Sequence, residues 1–275
     1  GILRPDWSGR LDRAWRGAAA PGRAAFVVST PANLLYLCGF DGSQGLLVLS
    51  PAGQWLMLDG RYEQASREAI AAGLAGPVEI RLVLGRFDHA LASLLGGLPA
   101  GDVAFEAERV TVATLQAWQT AAPGRAFAAT VGVVETLRSV KDTHEVRTIR
   151  RACAQLSDVA RHLADWVAAG RTERQIAGDI DAALIRSGFE RVAFPTIVAA
   201  GPNSAHPHAR PGDRVLRPGD LVVLDFGGVL GGYCGDLTRM AAVGPVQANA
   251  QTLVNAVRAA QDAAVASVRA GVLAS

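Results

Sequence analysis

Short apolar runs and longer amphipathic stretches alternate through the first half of this chain. Ala25 to Ser29, Leu46 to Ser50, Trp55 to Leu58, Ile80 to Leu84 and Val103 to Phe105 are short runs of the kind that form buried strands. Residues 61–72, 87–95 and 112–120 carry the wider apolar spacing of helices. Pro51-Ala52-Gly53 separates two of the strand runs and predicts a hairpin turn. Strands interleaved with helices predict an α/β domain with a mixed sheet over residues 1–130.

The pattern changes in residues 131–275. Asp142 with Glu145 three positions on forms a capping-box pattern, and the helix it opens is predicted to run to about Ala168, ended by Gly170. Thr172 with Gln175 repeats the signal, for a helix that runs to Ser187 and stops at Gly188. A strand follows at Ala193 to Ala199, then a loop of Pro, His and Gly from Gly201 to Asp213. Leu221 to Leu224 reads as a buried strand and Tyr233 to Val243 as its return. A last helix is predicted from about Ala248 into Val268.

The candidate chemistry lies in that final pair of strands. Asp225 and Asp236 flank a stretch containing Gly227, Gly228, Gly231 and Gly232. A turn centred on Leu230-Gly231 places the two carboxylates directly opposite, with Cβ atoms about 5 Å apart. Like charges so placed are destabilising unless a cation lies between them, which points to a divalent metal. A different register would instead leave two ordinary acids on a hairpin. Just upstream, His206 and His208 flank Pro207, which favours extended backbone at His206 and so predicts that both rings project to one side. A loop histidine near two carboxylates can bind metal, move protons or hold a carbonyl; it can also be a plain surface residue.

Composition narrows the classes. A net charge of +2 gives no case for nucleic acid, and no dense basic run suggests a membrane surface. No apolar run reaches the roughly 18 residues that span a bilayer. Cys38, Cys153 and Cys234 are odd in number and far apart, which fits a cytoplasmic protein without a disulfide framework; Cys234 is expected to be a small buried hydrophobe.

The segment Ala193-Phe194-Pro195-Thr196-Ile197-Val198-Ala199-Ala200-Gly201-Pro202-Asn203-Ser204-Ala205-His206-Pro207-His208 closely resembles the pita-bread metallopeptidases, in their Xaa-Pro aminopeptidase and prolidase branch. Gly219 to Gly227 and Gly232 to Arg239 resemble that family's first two metal-ligand segments, and Leu137 to Asp142 the start of its catalytic domain. Tyr36 to Ser43 and Asp59 to Tyr62 look like the creatinase-type N-terminal domain. The resemblance implies an α/β N-terminal creatinase-like domain with a mixed sheet, followed by an incomplete α+β pita-bread catalytic domain. It implies that Asp225 ligates one metal, Asp236 bridges two, His208 contacts substrate and Thr238 supports Asp236 from behind. His206 is left without a role. The implied cofactor is a pair of divalent ions, Mn²⁺ first, with Co²⁺ or Zn²⁺ as alternatives.

The activity so implied is attack of a metal-held hydroxide on the bond before proline, in peptides with proline at the second position. An Xaa-Pro aminopeptidase is the first expectation; a prolidase or a non-catalytic peptide-binding module on the same fold are the alternatives. A homodimer is expected from the same resemblance. Creatinase itself fits poorly, because it does not keep the metal-binding aspartates. The family's remaining ligands are a histidine and two glutamates, yet no His follows His208 and no Glu follows Glu190. The chain is therefore expected to be a piece of a longer enzyme, and residues 1–275 alone are not expected to complete a dinuclear centre.

Overall fold

The computed structural model describes residues 4–273. The chain divides into two compact units, the first ending at Glu145 and the second starting at Val146.

The first unit contains α1 (Trp7–Ala18), β1 (Arg23–Val28), α2 (Pro31–Cys38), β2 (Leu46–Ser50), β3 (Gly53–Leu58), α3 (Glu63–Ala71), β4 (Glu79–Leu82), α4 (Phe87–Gly96), β5 (Asp102–Glu106), α5 (Val112–Ala121), β6 (Phe127–Thr130) and α6 (Val133–Ser139). Its six-stranded sheet has the order β4-β3-β2-β1-β5-β6. β2 is antiparallel to β1 and β3, while β1–β5, β3–β4 and β5–β6 are parallel, so the sheet is mixed as predicted. Both faces are covered. Phe26 and Val28 pack with Leu11, Leu34 and Leu37, whereas Ala25 and Val27 pack with Leu91, Leu95 and Trp118. Burial on both faces explains why these strands read as unbroken apolar runs. The sequence reading did not predict α1, α2, β6 or α6.

The second unit draws on α7 (Thr143–Ala160), α8 (Leu163–Trp166), α9 (Glu173–Arg186), β7 (Arg191–Val192), β8 (Ile197–Ala200), β9 (Leu221–Leu230), β10 (Tyr233–Ala242) and α10 (Ala248–Ser267). Both predicted capping boxes form. The Asp142 N–H donates to Glu145 Oε2 and the Glu145 N–H to Asp142 Oδ1, at 2.8 and 2.9 Å. Thr172 and Gln175 make the same reciprocal pair. The long helix ends at Ala160 rather than 168: the Arg161 and His162 N–H groups bond three residues back, to Asp158 and Val159, and α8 starts afresh. The strand predicted over 193–199 is confined to 197–200, preceded by the short β7; Pro195 has no N–H to give a ladder there.

β9 is the spine of this unit's sheet. It pairs antiparallel with β10 along its full length, with β8 through Val222–Asp225 and with β7 through Gly228 and Val229. Val222, Leu224 and Phe226 are buried against Ala152, Leu156 and Val159 of α7 and Ile176, Ile180 and Leu184 of α9. The period of two then turns Asp225 to the opposite face, where it is half-buried. Among the described residues no helix is long and apolar enough to cross a membrane.

Candidate metal-binding hairpin

The β9–β10 turn consists of Gly231 and Gly232, with φ of 56° and 78°. Two successive positive φ angles are the mark of a tight turn whose twist matches the strands, and glycine adopts them at no steric cost. Leu230 therefore pairs with Tyr233, one position along from the predicted centre. The expected facing of Asp225 and Asp236 is corrected accordingly: Asp225 pairs with Thr238, and Asp236 with Gly227. The carboxylates stand diagonally on one face, a spacing that long side chains still bridge.

They do interact. Partial desolvation pushes the Asp236 carboxyl above the usual aspartate range, and the negative charge of Asp225 and a hydrogen bond with it push it further. Thr238 donates its hydroxyl to Asp225 Oδ1 at 2.8 Å, so the support expected for Asp236 goes to Asp225 instead. On the ladder Thr238 is the residue facing Asp225, which accounts for the swap.

Two hard oxygen ligands that repel each other fit part of a divalent-cation site in kind. Among the described residues no group of three His, Cys, Asp or Glu side chains comes together to hold a metal. The hairpin thus brings two carboxylates together and not a full ligand set. His206 and His208 are both exposed, in the loop that leads to β9. His206 has the extended backbone predicted from Pro207, with φ −103° and ψ 110°. The chain then turns, with the Ala209 N–H bonded to the His206 carbonyl, so the two rings do not sit on one face of a continuing strand. Cys234 is exposed rather than buried, because it lies on the same outward face as Asp236.

The histidine loop has a base that sequence reasoning passed over. Glu173, the first residue of α9, is fully buried and accepts hydrogen bonds from Ala200 and Gly212, the residues on either side of the loop. Nothing in its sequence position, inside a capping box, marks it as other than a helix-start acid.

Comparison with known proteins finds relatives along nearly the whole of this chain. Residues 10–140 match the creatinase/prolidase N-terminal domain, and residues 147–275 match metallopeptidase family M24. A probable dipeptidase PepE from Mycobacterium tuberculosis is 33% identical over 272 residues, covering 96% of this chain and 71% of the relative. An Xaa-Pro dipeptidase from Bacillus anthracis superposes with a TM-score of 0.88 at 27% identity, over 97% of this chain and 74% of that one. An X-Pro aminopeptidase from Thermotoga maritima gives 0.82 at 30% identity, over 91% and 70%. With two family domains matched in order and a relative one-third identical along nearly the whole of this chain, the chain belongs to metallopeptidase family M24, with the creatinase/prolidase type of N-terminal domain.

Proposed function

We propose that this protein is a metal-dependent peptidase that cleaves the bond preceding proline at the N-terminal end of short peptides. The observation that carries the reading is the Asp225–Asp236 pair: two carboxylates held close enough to repel, on a hairpin of an M24 chain. Asp225 and Asp236 would hold the divalent ion or ions, and carboxylate-rich ligation favours Mn²⁺. A divalent ion supplies Lewis-acid chemistry, lowering the pKa of a water and polarising a carbonyl. Thr238 keeps the Asp225 carboxylate turned to one orientation through its 2.8 Å hydrogen bond. His208, exposed in the preceding loop, is the side chain assigned to hold the substrate carbonyl.

The similar structures include both a dipeptidase and an aminopeptidase, so the choice between Xaa-Pro dipeptides and longer Xaa-Pro peptides is one for substrates to decide. The test uses the longest natural form of the polypeptide with Mn²⁺, on an Xaa-Pro dipeptide, an Xaa-Pro-Yaa tripeptide and matched Xaa-Ala controls. Cleavage confined to the proline substrates, and abolished by Asp225→Ala, is the expected result. Equal cleavage of the Xaa-Ala controls, or full activity in Asp225→Ala, would overturn it.

A further inference from the structure

We infer that Glu173 is a positioning residue for the histidine loop, fixing where His206 and His208 sit relative to the metal-ligand hairpin. Its side chain has no solvent exposure. Oε1 accepts from the Ala200 N–H at 2.8 Å and from Asn203 Nδ2 at 2.9 Å; Oε2 accepts from the Gly212 N–H at 3.1 Å and from the same Asn203 nitrogen at 3.2 Å. One carboxylate therefore ties the residue before the loop, a residue within it and a residue at its far end.

The backbone around it repeats the arrangement. The Glu173 N–H donates to the Arg214 carbonyl and the Arg174 N–H to the Gly212 carbonyl. Arg214 Nε donates to the Ala200 carbonyl at 2.9 Å, and its Nη2 reaches both oxygens of Asp220 at 2.9 Å. Both ends of the loop are so pinned to the first turn of α9. The near end is also pinned to the hairpin, since β8 ends at Ala200 and pairs Ile197 with Asp225.

A buried carboxyl is costly unless its hydrogen-bonding capacity is met, and here two backbone N–H groups of the loop stem and the Asn203 amide meet it. If Glu173 were merely a cap for its own helix, its oxygens would face N–H groups of α9; they face the loop instead. The role in turnover rests on the peptidase reading above, but the role in loop geometry does not.

Two variants and two readouts separate these. Arg214, at the far end of the loop and followed by Val215, offers trypsin a cleavage site that its bonds to the Ala200 carbonyl and Asp220 hold closed. In Glu173→Ala, cleavage after Arg214 should accelerate on the order of tenfold or more over the unchanged protein, because the local opening that admits the protease is more populated. Glu173→Gln keeps the shape and one acceptor but turns an N–H₂ toward a stem donor; it should fold and show an intermediate acceleration. In the peptidase assay both variants should lower kcat more than they raise KM. Combined with His208→Ala, either should add less than about twofold to the loss from His208→Ala alone, since both act through one group. Unchanged cleavage after Arg214 in both variants would overturn the proposal, as would losses in kcat that multiply in the double variant. Faster cleavage in a protein with no Xaa-Pro activity would sink the peptidase reading and leave the loop assignment standing.

Discussion

Gly227→Ala tests whether the hairpin tolerates any side chain beside Asp236. Gly227 is paired with Asp236 across the ladder, and a Cβ built there would lie 2.3 Å from the Gly235 carbonyl oxygen and 2.7 Å from Phe194 Cε1. A carbon and an oxygen in contact need about 1 Å more than the first distance. The Phe194 ring can turn aside, but the carbonyl belongs to the partner strand and moves only if the ladder moves. Overpacking costs typically 1–3 kcal/mol, and an immovable backbone partner places this case near the top, at about 3 kcal/mol. For a protein of this size that corresponds to a fall in Tm of about 10 °C, read by scanning calorimetry. Gly178→Ala is the internal contrast. Gly178 is exposed on α9 with nothing within 4 Å of its Cβ position, so the same substitution there should stabilise by about 0.5–1 kcal/mol. A Gly227→Ala protein that melts within about 2 °C of the parent would refute the close-approach argument.

Other outcomes follow from the first unit. Arg10 is 1% exposed, stacks 4.2 Å from the centre of the Tyr36 ring, and pairs with Asp142 at 2.7 Å and Glu145 at 3.5 Å. Arg10→Ala should cost about 3–5 kcal/mol by urea denaturation, since it removes the guanidinium that faces the buried Glu145 carboxylate and Asp142; a loss under about 1 kcal/mol would show that the pairs contribute nothing net. Burial alone would raise the Asp142 carboxyl, but the Glu145 N–H, the Arg10 guanidinium and the His144 N–H together hold it below its usual range. A folded pKa below the unfolded one means stability that is complete above about pH 4 and is lost as pH falls through the lower folded value. Asp142→Asn should therefore be less stable than the parent at neutral pH and converge with it in acid; parallel pH–stability curves would contradict this.

The sequence made the second unit's frame legible because its punctuation is local. Both capping boxes, and the glycine at 188 that follows the end of α9, act within a few residues of themselves. The hairpin was legible as a hairpin but its register was not. Four glycines offered several turn centres; a two-residue turn with both φ angles positive wants glycine at both positions, and of the two adjacent pairs Gly227-Gly228 lies within β9 while Gly231-Gly232 makes the turn. α1 escaped notice because Gly9 and Gly17 interrupt its spacing, and α2 because eight residues beginning at Pro31 give too short a period to read. Glu173 was hidden for a deeper reason. Its partners at Ala200 and Gly212 are backbone N–H groups, which every residue but proline carries, so no side-chain pattern announces them.

The alternation across β9 and β10 also constrains how the gene can change. Gly235, one residue before Asp236, faces α7, where even a methyl group would lie 2.7 Å from Leu156 Cδ1. Adding or deleting a single codon within β10 ahead of Asp236, with the turn intact, would carry the carboxylate round to that side and press it into Leu156. Length changes between the two aspartates are thus heritable only in steps of two residues, or in a bulge that absorbs the odd one. A deep-mutational library with insertions at each position from 226 to 236 should show depletion that follows this parity.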